Sequence, residues 1–182
     1  MVSTPNLVYI DTHVFAYKLL SYTYGPKIAN MIIQTGKFFQ DIQNEKYQAI
    51  ISTFTETEYR SVVKKVISEY MKRNLTEQEE INAINDFHAF NTTMGIGLSD
   101  SDGISFNHNI NRYDIFSEVD QTIQNNVESY YHDTKWKVIG GADAILLNLA
   151  LRSGANMIAT CDMGFKGLKH PLIQALIIPD IY

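Results

Sequence analysis

Residues 141–165 read GADAILLNLALRSGANMIATCDMGF, and three backbone regimes follow one another along this stretch. Ala142–Ser153 is rich in Ala and Leu, the strongest helix formers, with the acid Asp143 in its first turn. Ser153 and Gly154 form a small-residue turn. Asn156–Thr160 is a short apolar run, too short for a helix, and it ends at Cys161-Asp162. A helix returning through a tight turn to a buried strand predicts a parallel sheet covered on both faces.

The flanking sequence extends the same alternation. Downstream, Leu176–Ile178 predicts a final strand; upstream, Trp136–Ile139 predicts a short one, turned by Gly140-Gly141. Near the N-terminus, Leu7–Ile10 is a buried strand ending at Asp11, and Val14–Leu20 supplies a helical turn or two. Pro26–Asp41 predicts a helix through Ile28, Met31, Ile32, Phe38 and Phe39, with proline suited to its start. Gln48–Ser52 is a second buried strand. Thr55–Arg73 then carries Tyr59, Val62, Val63, Val66, Ile67 and Tyr70 at helical spacing. Thr76 and Glu79 form a capping-box signature for a further helix through Ile81, Ile84 and Phe87. Asn91–Asn111 is rich in Gly, Ser, Asp and Asn and reads as a loop; its DSDG stretch lacks the later ligand positions of a calcium loop. Tyr113–Tyr131 reads as an amphipathic helix. The expected fold is a single three-layer α/β/α domain over residues 1–182, with a central, mainly parallel sheet and a helix-loop insertion around 74–132.

Composition agrees with one packed domain: 182 residues, 45% hydrophobic and 19% charged. No apolar run approaches the roughly 20 residues that span a bilayer, so no membrane partner is expected. MVSTPNLVYI has neither the basic nor the long apolar region of a signal peptide. The single cysteine, Cys161, excludes an internal disulfide and suits a reducing, cytoplasmic setting. A net charge of −5 argues against a protein that coats nucleic acid. It is compatible with acids gathered around divalent cations, which make a local field attractive to phosphate.

Four element ends deliver such acids. Asp11 and Asp162 directly follow strands, which sets them at the carboxyl edge of the sheet, where ligands bind in parallel α/β folds. Asp143 opens a helix after a Gly-Gly turn, and Glu56 and Glu58 lie in the first turn of the helix after the second strand. Carboxylates brought together repel and resist burial, and a shared Mg²⁺ or Mn²⁺ relieves both penalties. Each acid also has a purely structural explanation. Asp11 and Asp162 suit turns or helix caps. Asp143, Glu56 and Glu58 suit the positive end of a helix, and Thr53/Glu56 and Thr55/Glu58 each match a capping box.

The segments VYIDTHVF, ISTFTETEY and GADAILLNLALRSGANMIATCDMGF resemble the successive motifs of PIN domains, including VapC-type toxins, over roughly a third of the chain. The resemblance implies an α/β/α fold, a divalent-metal site and endoribonuclease activity leaving 5′-phosphate and 3′-hydroxyl ends. It implies metal ligation by Asp11, Glu58, Asp143 and Asp162, with Thr160 as the hydroxyl residue before the last acid. Glu58 is preferred to Glu56 because Ser52, Thr55 and Glu58 match the family's Ser-x-x-Thr-x-x-Glu spacing. An RNA substrate, a homodimer and an antitoxin partner are expectations of the resemblance alone. The departures are His13 where Asn or Ser is commoner, Glu56 where an apolar residue is usual, and the unmatched stretch 74–132. Two other classes stand beside this reading: a catalytically silent PIN fold that binds RNA or assembles, and a phosphatase-like α/β hydrolase with Asp11 as nucleophile. His13, Lys166, Lys169, Tyr22, Tyr24 and Tyr113 are further candidates for substrate contact, against solvation or packing. Arg60, Lys64 and Lys65 read as a solvated helix face, and Cys161 as a core residue with no activating base.

Overall fold

The computed structural model of the chain describes residues 6–99, 141–168 and 170–181. In chain order the strands are β1 (Asn6–Ile10), β2 (Tyr47–Ile51), β3 (Gly97–Leu98), β4 (Met157–Thr160) and β5 (Gln174–Ile177). The α-helices are α1 (Thr12–Leu19), α2 (Ala29–Gln43), α3 (Thr53–Met71), α4 (Glu77–Met94), α5 (Gly141–Arg152) and α6 (Ile178–Ile181). The five strands form one sheet in the order β3-β2-β1-β4-β5, and every pairing is parallel. Because parallel neighbours point the same way, all the strand-to-helix turns fall at one edge.

Side-chain alternation along β1 builds the two cores. Val8 and Ile10 face a cluster with Val14 and Phe15 of α1, Phe38 and Phe39 of α2, Tyr59, Val63 and Ile67 of α3, and Ile84 and Phe87 of α4. Tyr9 faces the other way, into a cluster with Leu146, Leu147 and Ala150 of α5 and Ile158 of β4. Helices thus cover the sheet on both sides, as the apolar strand pattern requires. Among the described residues no helix is long and apolar enough to cross a membrane.

The structure differs from the sequence expectations at several points. Asn91–Met94 is the last turn of α4 rather than loop. The hydroxyls of Thr92 and Thr93 donate to the carbonyls of His88 and Ala89, so residues with a loop-like composition are folded onto the helix. The helix stops at Gly95, whose φ of 65° is left-handed. α4 belongs to the core of the domain, burying Ile84, Phe87 and Met94. The cap of α3 is Ser52, which accepts from the Phe54 N–H, so neither Thr53 nor Thr55 opens a capping box. The Thr76–Glu79 capping box is present, with Arg73 forking onto Glu79. Tyr70 and Ile81 lie on exposed faces. Pro26–Ile28 is a 3₁₀ turn leading into α2. The expected strand at Trp136–Ile139, the helix at Tyr113–Tyr131, the DSDG stretch and the Gly140 half of the Gly-Gly turn lie outside the described residues.

Candidate active site

Asp11 is the first residue past β1, and its N–H still donates to the Ala159 carbonyl of β4 at 2.9 Å. It is 7% exposed. The neighbouring strand brings Thr160, one step beyond the Ile10–Ala159 pair, alongside it. The fully buried Thr160 hydroxyl donates to Asp11 Oδ2 at 2.6 Å and accepts the Asp162 N–H at 2.9 Å. One threonine thus fixes both strand-end acids. Asp11 also caps α1, but its Oδ1 accepts the His13 N–H at a long 3.4 Å. Asp162 is exposed and caps the 3₁₀ turn Met163–Gly167, accepting the Gly164 N–H at 2.7 Å.

Glu58 reaches this edge from α3, which packs against α1. The Thr12 hydroxyl, buried at the start of α1, donates to Glu58 Oε2 at 2.6 Å. Burial pushes the Glu58 pKa up; the Thr12 bond opposes this, the charges of Asp11 and Asp143 add to it, and His13 opposes it. Asp143, in the first turn of α5, therefore acts on the same point. His13 is exposed, with Nδ1 3.9 Å from Asp11 Oδ1. Its pKa is raised first by its side-chain contact with the Asp11 carboxylate, against partial burial, and further by the charges of Asp11, Glu58 and Asp162.

Asp11, Glu58, Asp143 and Asp162 thus share one electrostatic neighbourhood. Among the described residues no Lys or Arg pairs with Asp11, Glu58 or Asp162. Among the described residues, too, no three His, Cys, Asp or Glu side chains stand close enough to hold one ion. The expected convergence on a shared cation is therefore not reached in the side-chain placement. In chemistry the set does suit a hard divalent cation, because its donors are carboxylate oxygens, and among the described residues no Lys or Arg pairs with Asp11, Glu58 or Asp162. Asp11 and Glu58 each have one oxygen fixed by a threonine, a support that orients a ligating carboxylate.

The two glutamates of the TETE stretch part company. Glu56 turns toward α4, contacting Arg60 Nη2 at 3.4 Å and His88 Nε2 at 3.2 Å, while Glu58 turns to Thr12. Ser52 and Thr55 serve the fold: both are fully buried and bond the Tyr9 hydroxyl at 2.5 and 3.2 Å. Thr12 and its role went unread in the sequence; its one signal is the hydroxyl directly after Asp11.

The remaining candidates have other occupations. Cys161 is buried, and burial pushes its thiol pKa far up, the reverse of nucleophile activation. Lys166 pairs with Asp180 at 2.6 Å. Arg60 and Lys64 pair with Glu80, in keeping with a solvated helix face. Tyr22 packs edge-on against Tyr70, and Tyr24 tilts against Tyr17. Lys169 and Tyr113 lie outside the described residues.

No protein-family model matches this sequence, and no curated protein matches it.

Proposed function

We propose that this chain is a PIN-like, divalent-metal-dependent endoribonuclease that hydrolyses RNA phosphodiester bonds, with Asp11, Glu58, Asp143 and Asp162 as its metal-holding acids. The observation that carries the reading is the pair of inward carboxylates, Asp11 and Glu58. Each is held by a threonine hydroxyl at the strand-end edge of a parallel sheet, in the field of the other acids. Burying like charges is unfavourable, and among the described residues no Lys or Arg offsets Asp11 or Glu58, so Mg²⁺ or Mn²⁺ is the counter-charge that this oxygen set suits. When bound, such a cation supplies charge stabilisation for a phosphodiester under attack by water. The chain's own part is positional. Thr160 holds Asp11 and the Asp162 backbone, and Thr12 holds Glu58. An RNA substrate, a homodimer, an antitoxin partner and a cytoplasmic setting belong to this proposal through the motif resemblance.

The capping contacts of Asp11 and Asp162 favour a second reading, a catalytically silent fold in which these acids only end strands and start helices. The test is incubation of the full chain with an RNA and DNA panel in Mg²⁺ or Mn²⁺, with end-group analysis. The nuclease reading expects metal-dependent RNA cleavage to 5′-phosphate and 3′-hydroxyl products, abolished by Asp11→Asn and Asp162→Asn in folded protein. Metal binding without cleavage of any RNA favours the silent fold. Phosphate trapped covalently on Asp11 favours the hydrolase class.

A further inference from the structure

Where the last turn of α3 meets α4, a groove of about 300 Å³ opens, and none of the strand-end acids lines it. Its floor is apolar, built from Ile67, Met71 and Ala83. Its walls are two tyrosine rings: Tyr70 from the end of α3, and Tyr22 from the 3₁₀ turn Ser21–Thr23. The rings stand edge-on, with centroids 6.0 Å apart and planes at 85°, and each residue is more than half exposed. α4 closes the groove with Glu79 and Asp86, which share a helix face with Ala83 at i, i+4 and i+7. Among the described residues no Lys or Arg lines the groove. Glu79 is already engaged, because Arg73 forks onto it. Asp86 is exposed, and among the described residues no Lys, Arg or His pairs with it.

We propose that this groove is a docking pocket for an arginine side chain presented by a partner protein, an inference independent of the nuclease reading. Every part of it favours a cation. Tyrosine rings carry negative faces that attract a guanidinium. The groove lies at the C-terminal end of α3, where the helix dipole is negative and the last turn holds no basic side chain. Asp86 supplies the open carboxylate, and a planar guanidinium can fork onto it while stacking on a ring, which a lysine ammonium cannot. The apolar floor takes the methylene stem of the same side chain. The fork of Arg73 on Glu79 shows this pairing already made at the rim. The other occupants fit the charge less well. A phosphate backbone is repelled by two acids, and a second copy of this chain brings a net charge of −5 toward them.

The test is a nuclear magnetic resonance titration of the full chain with the blocked peptide Gly-Gly-Arg-Gly-Gly, beside its lysine and citrulline counterparts. Citrulline keeps the shape of arginine and removes the charge. The expected result is a shift of the Met71 methyl and the Tyr22 and Tyr70 ring signals with arginine, a weaker response with lysine, and none with citrulline. Affinity for the arginine peptide should fall at least about threefold in Asp86→Asn and about two- to fivefold in Tyr70→Leu, and should weaken with added salt. Both positions are exposed, so both variants should keep the wild-type spectrum elsewhere and the wild-type melting temperature, which separates lost docking from lost fold. Equal binding of citrulline and arginine, wild-type affinity in Asp86→Asn, or no shift of these three residues at millimolar peptide overturns the pocket. Single-stranded RNA moving the same signals overturns the choice of a protein partner. Self-association in sedimentation that Asp86→Asn abolishes overturns it too, in favour of a second copy.

Discussion

Replacing Thr160 with valine removes one hydroxyl and keeps the shape and strand preference of the residue. That hydroxyl is fully buried and makes two bonds: it donates to Asp11 Oδ2 at 2.6 Å and accepts the Asp162 N–H at 2.9 Å. The first is charge-assisted and ends on a carboxylate only 7% exposed, so its loss leaves a desolvated charge and costs about 1.5–3 kcal/mol. The second involves an N–H beside an exposed residue that water can reach, and adds about 0.5–1 kcal/mol. The sum, about 2–4 kcal/mol, lowers Tm by roughly 4–16 °C at the 2–4 °C per kcal/mol typical of a chain of this size. Urea and thermal melts of wild type, Thr160→Val and Thr160→Ser, in metal-free buffer at neutral pH, measure it. Serine keeps the donor and should recover most of the loss. If valine matches wild type within about 0.5 kcal/mol, the spread expected of a surface substitution, then Thr160 does not hold Asp11 in place.

Three further outcomes follow from the same geometry. Glu58 has a raised pKa in the fold, so it binds its proton more tightly there than in the unfolded chain; its contribution to stability is greatest below the ordinary value of 4.5 and falls as pH rises through the raised value. Glu58→Gln should therefore give a flatter stability-pH curve and a metal-free protein more stable at neutral pH by about 0.5–2 kcal/mol, and a less stable variant in urea melts across that pH range would contradict the burial argument. Glu56→Gln should cost at most about 1 kcal/mol, because Arg60 and His88 are surface partners, and should leave metal-dependent cleavage at the wild-type rate while Glu58→Gln loses it; the reverse pattern shifts the second motif by two residues. Gly95→Ala should cost about 1–2 kcal/mol, because a Cβ meets nothing within 4 Å while the φ of 65° is left-handed; a neutral effect in chemical denaturation would mean that the end of α4 rearranges.

The sheet was legible because its strands are short apolar runs between helical periods, as VYI, QAII and MIAT show. Asp11 and Asp162 were placed at the strand ends for that reason alone. The choice between Glu56 and Glu58 was not legible from amphipathicity, which turns Glu56 toward the core stripe. The structure instead gives Glu56 to the α3–α4 groove, with His88 and Arg60, and Glu58 to Thr12. What parts the two side chains is the packing of α3 against α1, a tertiary relation that a helical wheel does not contain. Thr12 was missed for the same reason: its partner is 46 residues away. The last turn of α4 was missed because Asn and Thr carry loop statistics yet can bond back onto helical carbonyls.

A cap and a functional site make different demands on a side chain, and the difference sorts these acids. An N-cap needs one acceptor oxygen, and Asn, Ser or Asp supplies it about equally well. Asp162 is fully explained on those terms, being exposed and making a short bond to the Gly164 N–H. Asp11 is not. Its capping contact is long, its carboxylate is buried, and among the described residues its only ion-pair partner is a histidine 3.9 Å away, which carries charge only when protonated. A neutral Asn there would cap as well without the desolvation penalty of a charge. Glu58 has no capping role, since Ser52 caps α3, yet it is drawn inward until burial raises its pKa. The case for a charged site at this edge therefore rests on Asp11 and Glu58, the two acids that the fold alone does not require to be acids.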